Sequence, residues 1–194
     1  MKVSREQMAH NRSRILTEAG RLFREKGFDA VSVAEVMKAS GLTHGGFYGH
    51  FQSKDDLIAH TITHSLGNQS APDGIAAWMD TYLSLPHRDH PGLGCPTAAL
   101  AGLMRQQSPE ARASMGQVLA TQIDSFANVM PGKDADQRRL SAIGNWSAMV
   151  GALILARSID DPVLSEELLT KTRAWIDGKN ASSQETSADG KHMA

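Results

Sequence analysis

Residues 32–54 read SVAEVMKASGLTHGGFYGHFQSK, and this stretch is the strongest constraint on the fold. Ser32-Val-Ala-Glu35 has the spacing of a capping box: a hydroxyl for the amide three residues on, and a carboxylate that reaches back. About two turns of helix follow, burying Val36 and Met37 and ending at Ser40-Gly41. Gly41 permits the backbone conformation of a sharp turn. A second short helix, capped by Thr43, runs to about His50. Val33, Val36 and Met37 on the first are placed to meet Leu42, Phe47 and Phe51 on the second, which locks the angle between them. This is a helix-turn-helix layout.

The second short helix has an unusual start. Thr43, His44, Gly45 and Gly46 lie at its exposed N-terminus, where a recognition helix presents side chains to base edges. Each glycine costs a helix about 1 kcal/mol relative to alanine. Such a cost is tolerable where the backbone must come close to another molecule. Tyr48 and His50 supply donors for phosphate oxygens, and Ser32 joins them at the start of the preceding helix. Lys54 falls in the first turn of the next helix, which opens at Ser53 with Asp56 in capping-box spacing. A cation there opposes the helix dipole and makes better sense with a phosphate opposite it.

Charge points the same way. Residues 1–54 hold nine basic and five acidic side chains, net +4, whereas the remainder holds eleven and sixteen, net −5. A basic first module on an acidic body implies that the first module alone meets an anion.

The whole chain of 194 residues reads as helical, with no alternating strand pattern. A first helix from about Glu6 to Lys26 carries Ile15, Ala19, Leu22 and Phe23 at helical spacing and stops at Gly27. The fourth, from Ser53, carries Leu57, Ile58 and Ile62 to about Leu66. The segment 67–73 (GNQSAPD) reads as a hinge or loop. Further helices are expected near 74–85, 96–107, 109–130, 135–158 and 162–178, joined by LPHRDHPGLG, QSP, PGKDAD and DDP. The expected domains are 1–53, 54–178, and a disordered polar tail over 179–194. Aromatics are only 5% of the chain and Met numbers nine, so the core is mainly aliphatic and compliant. The single cysteine, Cys95, excludes an internal disulfide and fits a reducing compartment. The start MKVSREQMAH has no apolar signal-peptide core, and no long uninterrupted apolar run appears. A cytoplasmic protein with no membrane partner is expected.

Residues 11 to about 60, through ILTEAGRLFREKGFDAVSV, VAEVMKASGLTHGGFYGHF and SKDDL, resemble the N-terminal DNA-binding domain of the TetR family of bacterial transcriptional regulators. The match is ordered and gap-free. The resemblance implies an all-α homodimer, with a three-helix DNA-binding domain joined through the fourth helix to a larger helical ligand-binding domain. It also implies that the last two long helices form a four-helix dimer interface. The small residues of 147–156 and the Ala174–Ile176 pair fall on those helices. One departure is Gly49, where family members often carry an aromatic.

The expected partners are a double-stranded, palindromic operator, a small-molecule effector and a second copy of the chain. The expected DNA-binding set is Ser32, Thr43, His44, Gly45, Tyr48, His50 and Lys54. Trp78, Met79, Cys95, Met104, Phe126, Trp146 and Met149 are candidates for a ligand-binding set, although most Met and Trp at helical spacing are ordinary core. Pro96 suits a first helical position, which makes Cys95 the N-cap of that helix. There the thiol either senses electrophiles or is a small inert residue, and the absence of nearby cations in sequence, other than Arg88, favours the inert role. His60 and His64 have i, i+4 spacing, with His87 and His90 in a later loop, but a solvated role outweighs a metal site and no cofactor is expected. No nucleophile–base–orienter set has recognisable spacing, which argues against an enzyme. A DNA-binding adaptor controlled by a protein partner is the other alternative.

Overall fold

The structure is a computed structural model that describes residues 4–65 and 75–189, with side-chain burial through 180. The expected hinge at 67–73 lies outside the described residues. All regular structure among the described residues is helical. The chain forms two compact units, one of residues 1–70 with 91–118, the other of 71–90 with 119–194.

The first unit is built on α1 (Arg5–Lys26). The Ser4 hydroxyl accepts from the Gln7 amide and starts it, and Gly27, at φ +78°, ends it. Its buried stripe of Ile15, Leu16, Ala19, Leu22 and Phe23 packs against α2 (Val33–Ala39) and α3 (Lys54–His64). Phe28 continues the core, edge-on to Phe23 at 5.2 Å between ring centroids. Between α2 and α3 lies a six-residue 3-10 helix, His44–Gly49. The same unit takes in a 3-10 turn Pro91–Leu93, α6 (Pro96–Leu100), a second 3-10 segment Ala101–Gln106 and the start of α7 (Pro109–Ala127).

The second unit contains α4 (Ile75–Tyr82), α5 (Leu85–Asp89), the end of α7, α8 (Ala135–Arg157) and α9 (Pro162–Asp189). Helices α8 and α9 make the most extensive pairing, with Ala142, Trp146, Met149, Leu153, Leu169 and Ile176 buried. By length and composition α8 is the one described helix long and apolar enough to cross a membrane. Its apolar residues divide between this core and an exposed set, Leu140, Ile143, Ile154 and Leu155.

Several expectations are corrected. No unit boundary falls at 53/54: α3 packs on α1 through Leu57, Ile58, Thr61 and Ile62, and 91–118 joins the same unit. Apolar burial outweighs chain order here. The connection LPHRDHPGLG contains α5, because the Ser84 hydroxyl accepts from the His87 amide and Pro86 occupies the first turn. The helix expected over 96–107 tightens to 3-10 geometry at Ala101, beside Gly102. Of the tail expected to be disordered over 179–194, residues 179–189 continue α9, and 190–194 lie outside the described residues. Of the Ala174–Ile176 apolar pair, Ile176 is fully buried within its own unit and Ala174 is exposed, so the two do not share one face.

Candidate nucleic-acid interface

The turn between α2 and the 3-10 helix depends on Gly41, at φ +66°. A side chain there would be strained in itself, and its Cβ would stand 2.8 Å from Nη2 of Arg14. Leu42 then bonds through its amide to the carbonyl of Met37, and Phe47 and Phe51 go down into the core, 5.7 Å apart. With both aromatics anchored, the remaining face of the 3-10 helix points outward.

That face carries the expected residues. Thr43, His44, Gly45 and Gly46 are all exposed, and Tyr48 is 72% exposed. Thr43 is the N-cap by position, but its side chain makes no cap bond, which leaves the hydroxyl at the surface. A Cβ at Gly45 would meet nothing within 4 Å, so the backbone there is open to close approach. The 3-10 geometry follows from three glycines in six residues, which give little α-helical preference to overcome a tight turn. Gly49 is exposed too, and a Cβ at that position would meet only the Met8 terminal methyl, at 3.9 Å.

Ser32 caps α2, its hydroxyl accepting from the Glu35 amide at 3.1 Å. The reciprocal half of that capping box is not made. The Glu35 carboxylate instead binds Nζ of Lys26 at 2.6 Å, a charge-assisted bond that outcompetes a neutral amide and holds Glu35 below the ordinary carboxylate range. At α3 the Ser53 hydroxyl accepts from Asp56, and Asp56 accepts from the amide of Gln52, one residue earlier than the expected partner. Lys54 is the first residue of α3 and half-buried.

Arg12 completes the site, and sequence reading passes over it because it lies 38 residues from its partner. From α1 its Nη1 donates to the carbonyl of His50, and its guanidinium lies 4.2 Å from the centre of the Phe51 ring. It therefore holds the C-terminal end of the 3-10 helix. Partial burial, and then the charge of Arg12, pull the His50 imidazole below its ordinary value, so His50 is a neutral donor at neutral pH.

The expected ligand-binding residues are not brought together in one unit. Cys95 and Met104 belong to the first, whereas Trp78, Met79, Phe126, Trp146 and Met149 belong to the second. Cys95 is the N-cap of α6 with Pro96 behind it, as expected, and is 5% exposed. Across the fold, Arg24 of α1 donates to the carbonyl of Gly92 at 2.9 Å, three residues before Cys95. In the second unit Trp78, Tyr82, Phe126 and Trp146 form a ring cluster with centroid separations from 4.7 to 5.8 Å. His60 pairs with Asp56, His64 with the Thr17 hydroxyl, and His87 and His90 with backbone carbonyls.

Known proteins carry related sequences. Residues 15–61 match the family model described as bacterial regulatory proteins, tetR family. An HTH-type transcriptional repressor of Mycobacterium tuberculosis is 32% identical over 88 residues, 44% of this chain and 47% of that one. The chain thus spans about half the length of that relative, and less of other curated relatives. Among solved structures, the reduced form of Escherichia coli NemR aligns with a TM-score of 0.71 at 18% identity, covering 87% of this chain and 96% of that one. A TetR transcriptional regulator from Legionella pneumophila aligns with a TM-score of 0.68 at 22% identity, covering 93% and 100%. At these identities the structural likeness establishes the fold. The segment 15–61, which holds the helix-turn-helix described above, is thus the part of the chain that matches the tetR family of bacterial regulatory proteins.

Proposed function

We propose that this chain is a sequence-specific DNA-binding transcriptional regulator, a repressor released from a palindromic operator by a small molecule. The observation that carries the reading is the outward face of the 3-10 helix: Thr43, His44 and Gly45 exposed, with Tyr48 beside them and the buried Phe47 and Phe51 fixing the orientation. Thr43 and His44 are assigned to base edges, and Ser32, Tyr48, His50 and Lys54 to phosphates. A homodimer sets two such faces at the spacing of an operator. The open small-residue face of α8 supports it, since a Cβ at Gly144 or Gly151 would meet nothing within 4 Å. The effector acts in the second unit, and its binding and DNA binding are reciprocally antagonistic.

Selection of genomic fragments with the purified full chain identifies the operator, and anisotropy titration then tests the assignments. Lys54→Ala and Tyr48→Phe weaken all sequences alike, and Lys54→Ala lowers the salt slope by about one per half-site. Substitutions of Thr43 and His44 change the preferred sequence, by roughly 1–3 kcal/mol at the contacted pair. Uniform loss with unchanged preference for Thr43 and His44 variants would show that the recognition face is misassigned.

The position of Cys95 as N-cap of α6 favours one second reading, a thiol sensor that leaves DNA after reaction with an electrophile. Burial of Cys95 favours the inert role. Cys95→Ser separates the two: under the first reading it abolishes electrophile-driven release, and under the second it leaves operator binding and release nearly unchanged.

A further inference from the structure

We propose that the ring cluster of the second unit binds a flat, neutral aromatic compound bearing a hydrogen-bond acceptor, which takes the Nε1–H of Trp146. This deepens the effector reading above and rests on it. Trp146 is 5% exposed, and its Nε1–H is buried with no hydrogen-bond partner among the described residues. Buried donors in folded proteins nearly always have a partner, so an orphaned one asks for an explanation. Three rings pack on this indole. Trp78 stacks on it at 5.8 Å with an interplanar angle of 25°, Phe126 meets it edge-to-face at 5.4 Å, and Tyr82 lies tilted at 5.5 Å. Ring faces give an N–H only a weak contact, whereas a carbonyl oxygen gives a full one.

The same surroundings set the chemical class. Aromatic side chains favour a flat π-system through stacked and edge-on contacts. The acceptor is uncharged, because an indole offers a dipole and no counter-ion. Three arginines of the same unit are engaged elsewhere: Arg157 with the carbonyls of His87 and Arg88, Arg88 with Asp89 and Ser165, Arg173 with Asp80 and Asp177. A carboxylate placed among these rings would lose its hydration without compensation. An aryl ketone, aldehyde or ester meets every condition.

The test uses two near-isosteric probes, 2-acetylnaphthalene and 2-ethylnaphthalene, which differ in one acceptor. Binding to the full chain is measured by equilibrium dialysis without DNA, for wild type and for Trp146→Phe. Comparing the ratio of the two affinities removes any loss of packing common to both probes. The acetyl-to-ethyl ratio is expected to fall about tenfold or more in Trp146→Phe. A measurement on the wild type stands independently of that variant's folding: the Trp146 indole N–H resonance, identified against Trp78→Phe and Trp175→Phe, moves downfield with the acetyl probe and not with the ethyl one. No binding of either probe, a ratio unchanged by the substitution, or an unmoved resonance would overturn the proposal. Operator release is assayed separately. Acetyl-probe binding with these signatures but without release upholds the site and removes only its coupling to DNA.

Discussion

Arg12 shows how much one side chain can do when it reaches across the fold. Its guanidinium both covers the Phe51 ring and donates to the carbonyl that closes the 3-10 helix. The first contact is worth about 0.5–1 kcal/mol at a partly exposed position, and the second adds a charge-assisted bond. Arg12→Gln is therefore expected to destabilise the chain by about 1–2 kcal/mol in urea unfolding. It should also lower operator affinity without changing the preferred sequence, since Arg12 positions the 3-10 helix and reads no base. A changed preference, measured on the operator and its single-pair variants, would place Arg12 at the DNA instead.

Among the elements, the recognition segment is the one whose local preferences and tertiary setting disagree most. One of its glycines and the turn glycine before it have different reasons to be there, and substitution separates them. Gly41 sits at φ +66°, so Gly41→Ala carries the left-handed penalty of about 1–2 kcal/mol, while the Arg14 guanidinium tip can swing aside. Gly45 has no such strain and open space around it, so Gly45→Ala should be neutral or stabilise by up to about 1 kcal/mol. Its effect should appear in DNA binding instead, as a methyl group enters the surface proposed to approach the duplex. Thermal unfolding and operator titration of the two variants check this crossing of effects. A stabilised Gly45→Ala that binds DNA as well as wild type would remove Gly45 from the interface.

For the whole molecule, association and pH response follow from what the chain leaves exposed and what it buries. On α8 and α9, Leu140, Ile154, Leu155, Val163, Leu164 and Trp175 are between 41% and 75% exposed, an apolar load that pairing with a second copy would cover. Light scattering at micromolar concentration should give twice the chain mass of 20.9 kDa; the monomer mass would contradict the dimer. The pH response comes from His50, His64 and His87, each held below its ordinary value with burial as the largest cause. The unfolded chain then binds more protons near the ordinary value, so stability rises with pH through that region. It is fully present above about pH 6.5 and is lost as pH falls toward the folded values. Tm should drop from about pH 7.5 to about pH 5.5, and His87→Gln should reduce the drop. A Tm that rises on acidification would contradict the sign.

Much of the local structure was legible in the chain alone. Ser32, Gly41 and Ser53 announced their caps and turn through chemistry that acts within four residues, and the exposed Thr43-His44-Gly45 followed from the helical phase that buries Phe47 and Phe51. The unit to which α3 and the 91–118 segment belong was not legible, because it depends on which apolar faces meet after the chain has turned back. Arg12 on His50, Arg24 on Gly92, and the ring cluster around Trp146 join residues 38, 68 and up to 68 positions apart in sequence. No short-range pattern encodes such contacts. They arise only when packing decides which side chains lose their water together, and that decision belongs to the tertiary structure.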